Sequence, residues 1–315
     1  MSSFPVSWRK VAVFVFLAYG LAWALAFIFF VAGGKVDRTA SPGFLLFGLG
    51  YMFMPTVAAV VTQRCIWKEP LRELGLNRPR WSWMLVAWLA PVAIVLLALG
   101  LSVLMPRVSL GAGLETIYRE AARTLTAQQL SELHRMLDAS PLAWPGVLPM
   151  LMLAQVLIAG ASINAVAALG EELGWRGFMW SELAPVGFWR ASLIIGLVWG
   201  IWHLPLIAAG YNYPGYPIAG PAMMTLLTIL LAPLIGYVRV RARSIFAAAV
   251  FHGTFNAAAT LAVLLRNGDP MLTGMTGVTG VTVLAFANLA LWWFTQRSKR
   301  LSLYPLGAER NVSFE

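Results

Sequence analysis

The stretch Gly170-Glu171-Glu172-Leu173-Gly174-Trp175-Arg176-Gly177 sets two adjacent carboxylates and a guanidinium directly after the apolar run Val147–Leu169. Charge beside or within hydrocarbon is costly and persists where pairing or function needs it. On a helix, Glu172 and Arg176 stand at i, i+4 and can pair on one face. Glu171 then points about 100° away from Glu172, without a local cation and free for other work. Two histidines, His203 and His252, lie inside apolar runs, and Asn256 follows His252 by one helical turn on the same face. A carboxylate beside a histidine can deprotonate water. A second histidine and an amide can donate hydrogen bonds to a developing oxyanion. These are the parts for amide hydrolysis without a covalent intermediate. The same groups offer a second chemistry, because two imidazoles and one carboxylate make a catalytic zinc set with an open position. That set would be Glu171, His203 and His252. There is no HExxH spacing, and Cys65, the single cysteine, excludes a cysteine zinc site and an intrachain disulfide. No membrane serine has the context of a nucleophile.

The elements that must position these groups follow from hydropathy. The 315 residues are 59% hydrophobic and 11% charged, against about 25% charged in a soluble domain, which implies a membrane protein. Spans of about 20 apolar residues are expected at Val11–Ala32, Phe44–Val61, Trp83–Met105, Val147–Leu169 with an extension to Trp180, Trp189–Ala209, Ile218–Val240, Ile245–Leu265 and Gly274–Phe294. The expected fold is all-α: one polytopic bundle of about eight transmembrane helices over residues 1–315, with a catalytic core at about 147–265. The first run is too long for a signal-peptide core and lacks an evident cleavage site, so it is expected to stay in the mature protein.

Basic residues set orientation. They crowd the segments on one side, at Arg9 and Lys10, at Arg64, Lys68, Arg72, Arg78 and Arg80, at Arg176 and Arg190, at Arg239, Arg241 and Arg243, and along the tail from Arg297 to Arg310. Both termini are therefore expected in the cytoplasm, in a multi-pass protein of the plasma membrane. The net charge of +10 is read as topology signal and lipid contact, and nucleic acid is excluded as a partner. Between the third and fourth spans, Pro106–Pro145 is an outer amphipathic insertion. Leu114, Ile117, Tyr118, Ala121 and Leu125 keep helical spacing, and Thr126 with Gln129 fits a capping box for a second helix. Lying on the membrane surface is the expected role, with a lid over a cavity as the sharper alternative.

Depth supports convergence. At ~1.5 Å per residue, His252 sits about 12 Å beyond Ser244, His203 about 20 Å beyond Arg190 and Glu171 at least about 7 Å before Arg176. All lie between one interface and the middle of a core about 30 Å thick. Trp199 and Trp202 flank His203 at i−4 and i−1, as packing residues or as the wall of a substrate site.

The ordered set Glu171-Glu172-x-x-x-Arg176, aromatic-x-x-x-His203 and His252-x-x-x-Asn256 resembles the CPBP family. These are the CAAX prenyl endopeptidases and bacteriocin-processing proteins, also called ABI family intramembrane proteases. The resemblance covers about Val147–Leu265. It implies an eight-helix intramembrane endopeptidase with a cavity reached from the cytoplasm, acting on a membrane-associated peptide or protein. It implies that Glu171 activates water with His203, that His252 and Asn256 form the oxyanion site, and that Glu172 and Arg176 orient them. A metal-free, glutamic-type mechanism is favoured over a zinc one, since no third histidine of the apolar segments and no cysteine is available to strengthen a metal site. One position departs from the family pattern: Trp199 stands where phenylalanine is usual, which implies a changed cavity wall with the chemistry kept. Two readings from other classes compete. One is a non-catalytic scaffold or bacteriocin-immunity protein. The other is a proton-coupled transporter, which intramembrane Glu, His and Arg would suit, although no paired broken helices occur in corresponding halves.

Overall fold

The structure is a computed structural model that describes residues 6–36, 41–111, 114–122, 125–144 and 146–297, apart from the side chains of 72, 73, 115, 116, 119, 120 and 297. The tail bases Lys299, Arg300 and Arg310, like Arg38 and Arg123, lie outside the described residues.

The chain is an all-α, multi-pass membrane protein. Helices α1 (Trp8–Val31), α2 (Pro42–Val60) and α3 (Trp81–Ser102) come first. The insertion follows with α4 (Leu114–Ala121) and α5 (Ala127–Asp138), then α6 (Val147–Gly160) and α7 (Ile163–Glu172). A π-helical turn, Leu173–Met179, leads into the short α8 (Trp180–Leu183). The rest is α9 (Phe188–Trp202), α10 (Leu204–Ala208), α11 (Ala219–Ala242), α12 (Ile245–Ala259) and α13 (Val278–Arg297).

Two ends of the bundle can be told apart by their contacts. At one, Lys10 pairs with Glu69 at 2.5 Å and with Glu182 at 3.4 Å, the Arg80 N–H donates to the Ala242 carbonyl, and the Ile245 N–H donates to the Gly75 carbonyl. At the other, Ser109–Leu110 (β1) pairs antiparallel with Leu265–Arg266 (β2). There the Tyr213 hydroxyl donates to the Thr276 carbonyl, and that of Tyr216 donates to Asp269. The apolar segments alternate between these ends in the expected order, but they are not eight equal spans. Among the described residues six helices are long and apolar enough to cross a membrane, or seven if a bent pair is counted as one span. The fourth is broken: α6 and the helix from Ile163 meet at a 46° bend, where one continuous helix was expected. Ser162 leaves helical geometry there (φ −121°, ψ −99°), in a run of small residues of the kind where helices kink. The fifth is shorter than expected, because α9 ends after 15 residues and the chain continues through His203 into α10.

Small residues set the closest helix contacts, as in membrane bundles generally. A Cβ added at Gly253 would lie 2.5 Å from the backbone N of Ala165, and one at Gly200 would lie 2.5 Å from Thr225 Cα. These two glycines let α12 touch α7 and α9 touch α11. The insertion forms a helical hairpin. Thr126 and Gln129 make the expected capping box, and the Tyr118 and His134 rings meet at a tilt with centroids 3.9 Å apart.

Candidate active site

The Glu171–Arg176 stretch enters the bundle interior as α7 passes into its π-helical turn. Helices with such turns carry them frequently at functional sites. Glu172 Oε1 accepts from Arg176 Nη1 at 2.9 Å, and both side chains have no solvent exposure. The spacing argument for this pair is therefore met in space. The same Oε1 accepts from His252 Nδ1 at 2.9 Å. A third partner for Oε1 thus comes from α12, across the contact that Gly253 allows, while Glu172 Oε2 and Arg176 Nε and Nη2 are buried without a hydrogen-bond partner, so the pair is only partly satisfied.

Glu171 points away from that pair, as its position implied, and is only 2% exposed. Its Oε2 accepts from the indole Nε1 of Trp199 at 2.6 Å. It lies within electrostatic range of His252, Glu172 and Arg176, and of Tyr51 on α2.

His203 is placed by a break in its helix. Pro205 has no N–H to continue the ladder, and the His203 N–H donates to the Gly200 carbonyl, one residue short of the α-helical partner. The Trp199 carbonyl is thereby released, and it accepts from His203 Nδ1 at 2.8 Å. The Trp202 carbonyl is released too, and two side chains from other helices reach it, Tyr51 Oη at 2.7 Å and Trp23 Nε1 at 3.1 Å. A carbonyl and a carboxylate can only accept, so Nδ1 carries the proton in both His203 and His252. Each ring thus keeps its Nε2 for other work.

Trp199 lies at the centre of the group. Its indole holds Glu171 and its carbonyl holds His203. The Arg176 guanidinium lies 4.4 Å over its ring, and the His252 ring meets it edge-on at 5.1 Å. Trp199 and Trp202 are both buried, so neither presents an open aromatic wall. The sequence showed Trp199 only as a packing or wall residue. The donor on its ring, four positions before His203, was the one signal of a polar role. Asn256 is exposed, one turn beyond the buried His252. His203 is half-buried, and the structure gives Asn256 no hydrogen bond to Glu171, His203 or His252, so it is not brought into the group by contact as the sequence implied.

Among the described residues, no three His, Cys, Asp or Glu side chains are grouped to hold a metal ion. The Glu171, His203 and His252 set does not form such a group. An apolar groove between α9, α10 and α11, lined by Ile201, Leu204, Pro221, Thr225 and Ile229, contains none of the charged groups.

Comparison with known proteins agrees with the motif reading. Residues 152–258 match the family described as type II CAAX prenyl endopeptidase Rce1-like. A curated relative, CAAX prenyl protease 2 of Methanococcus maripaludis, is 28% identical over 128 residues, which is 38% of this chain and 47% of that protein. The chain thus spans about half the length of the curated relative it matches. The matched region holds Glu171, Glu172, Arg176, Trp199, His203, His252 and Asn256, and residues 152–258 are similar to the type II CAAX prenyl endopeptidase Rce1-like family.

Proposed function

We propose that this chain is an intramembrane endopeptidase that hydrolyses a peptide bond in a membrane-associated peptide or protein by a metal-free, glutamic-type mechanism. The observation that carries the reading is the pairing of roles around Trp199 and Glu172. One carboxylate, Glu171, makes no hydrogen bond to the nearby arginine and has one oxygen free. Two imidazoles have Nδ1 fixed and Nε2 available.

Glu171 and His203 Nε2 accept hydrogen bonds from a water, and Glu171 takes one proton as the water oxygen, keeping its other hydrogen, attacks the scissile carbonyl. The C–O bond forms as the carbonyl π bond opens, and the oxygen becomes an oxyanion. To donate from Nε2 to that oxyanion, His252 must carry both ring protons, and Glu172 on Nδ1 is the counter-ion for that state. Asn256 supplies a second donor at the exposed edge. Collapse of the intermediate breaks the C–N bond, and the proton held by Glu171 passes to the leaving amine. Arg176 keeps Glu172 ionised and in place.

The relative's name makes a CAAX prenyl peptide the first substrate to try, beside other membrane-anchored peptides. On the same reading both termini lie in the cytoplasm and the protein in the plasma membrane, which the distribution of basic residues supports. The test is cleavage of quenched fluorescent peptides by purified protein in proteoliposomes, with Glu171→Gln as control. Cleavage that needs Glu171 supports the reading, and cleavage at the wild-type rate by Glu171→Gln sinks it.

A further inference from the structure

The site departs from the motif of its resemblance at one position, and the structure gives that position a polar contact. A phenylalanine ring has no hydrogen-bond donor. A tryptophan ring has one, and Trp199 spends it on Glu171 at 2.6 Å. We propose that Trp199 is a positioning residue for the hydrolysis: its indole N–H fixes Glu171 Oε2 and so aims Oε1 at the attacking water. The inference rests on the function proposed above and adds a residue that acts through the catalytic carboxylate.

A glutamate on a free rotor presents either oxygen in many directions. A charge-assisted bond to one oxygen is short and directional, and it leaves the other with a single orientation. Alignment of this kind is a large part of catalytic rate. The indole itself has little freedom. Trp199 is 2% exposed, the Arg176 guanidinium lies over its face, and the rings of His203 and His252 lie within 5.8 Å and 5.1 Å of its own. Its carbonyl also accepts from His203. One residue therefore sets the spacing between the two groups that handle the water. The bland account, a buried aromatic filling space, explains the ring and leaves the 2.6 Å contact unexplained.

The experiment pairs a spectrum with kinetics on the full chain in lipid nanodiscs. Indole N–H resonances are recorded with ¹⁵N-tryptophan for wild type, Trp199→Phe and Glu171→Ala. The resonance missing from Trp199→Phe should lie downfield, as expected for a bond to a carboxylate, and should move upfield in Glu171→Ala. Trp199→Phe should lower kcat about 10- to 100-fold, the scale of one hydrogen bond to a charged group, and leave KM within about twofold, since no contact with bound substrate is removed. A general packing defect would lower the melting temperature and change both constants. If Trp199→Phe does not fold, Glu171→Ala alone decides, because one downfield indole resonance must move. An unmoved indole spectrum in Glu171→Ala, or a wild-type kcat in folded Trp199→Phe, overturns the proposal. Absence of peptide cleavage in every form would instead overturn the functional reading, with the resonance still reporting whether the indole holds the carboxylate.

Discussion

Glu172 and His252 are 80 positions apart in the chain and meet through a 2.9 Å bond between Oε1 and Nδ1. That contact joins the first motif to the last, and Arg176 completes it from one turn away. Removing one member leaves a buried charge without a partner, which costs about 3–5 kcal/mol. Glu172→Leu should therefore lower stability on that scale and abolish cleavage. The double variant Glu172→Leu, Arg176→Leu should be less destabilised than the sum of the singles. Thermal unfolding in detergent reads the first effect, and equal costs that simply add would argue against a coupled pair.

Glu171→Ala and His203→Ala should each reduce cleavage by at least about 10²- to 10⁴-fold, the range for a general acid–base group. Both proteins should still insert and elute as the wild type does on size exclusion. Retention of activity by His203→Ala would assign water activation to Glu171 alone.

Gly253→Ala should act on the site without altering any polar side chain. Its Cβ would come within 2.5 Å of the Ala165 backbone, so α12 must move from α7 and draw His252 off Glu172. A cost of about 1–3 kcal/mol is expected, with a loss of activity larger than the fraction unfolded. Activity per folded molecule, compared with Ala249→Gly as a control on the same helix, is the measurement.

Extensive dialysis against a strong chelator should leave the cleavage rate unchanged, and added zinc should not raise it. Loss on stripping with recovery on zinc would replace the glutamic mechanism by a metal one.

Orientation can be read with the native chain, because Cys65 is its one cysteine and is exposed. It lies near the end marked by Lys10 and Glu69, the side on which basic residues crowd. A membrane-impermeant maleimide should label inverted vesicles and spare intact cells. The reverse pattern would invert the proposed topology.

Hydropathy and residue spacing made much of this legible. The Glu172–Arg176 pair needed only the helical repeat, and the apolar runs located the passes in order. Two features escaped for physical reasons. Gly160-Ala161-Ser162 is apolar enough to read as continuous helix, although its small side chains leave the backbone free to bend. The fifth run stays apolar through Pro205, so hydropathy could not see α9 end at Trp202. The missing N–H of that proline was the available sign. The Trp199–Glu171 contact could not be read at all, since the target of an indole N–H depends on how two helices are rotated against each other.

The end of α9 has a consequence for where variation should matter. The carbonyl released at Trp202 is claimed by Trp23 of α1 and Tyr51 of α2, and both precede the segment 152–258 that carries the family likeness. Helices with no catalytic side chain of their own thus act as the jig in which His203 is clamped. Tuning of the reaction, whether by chance substitution or by an engineer, has a handle in the first sixty residues.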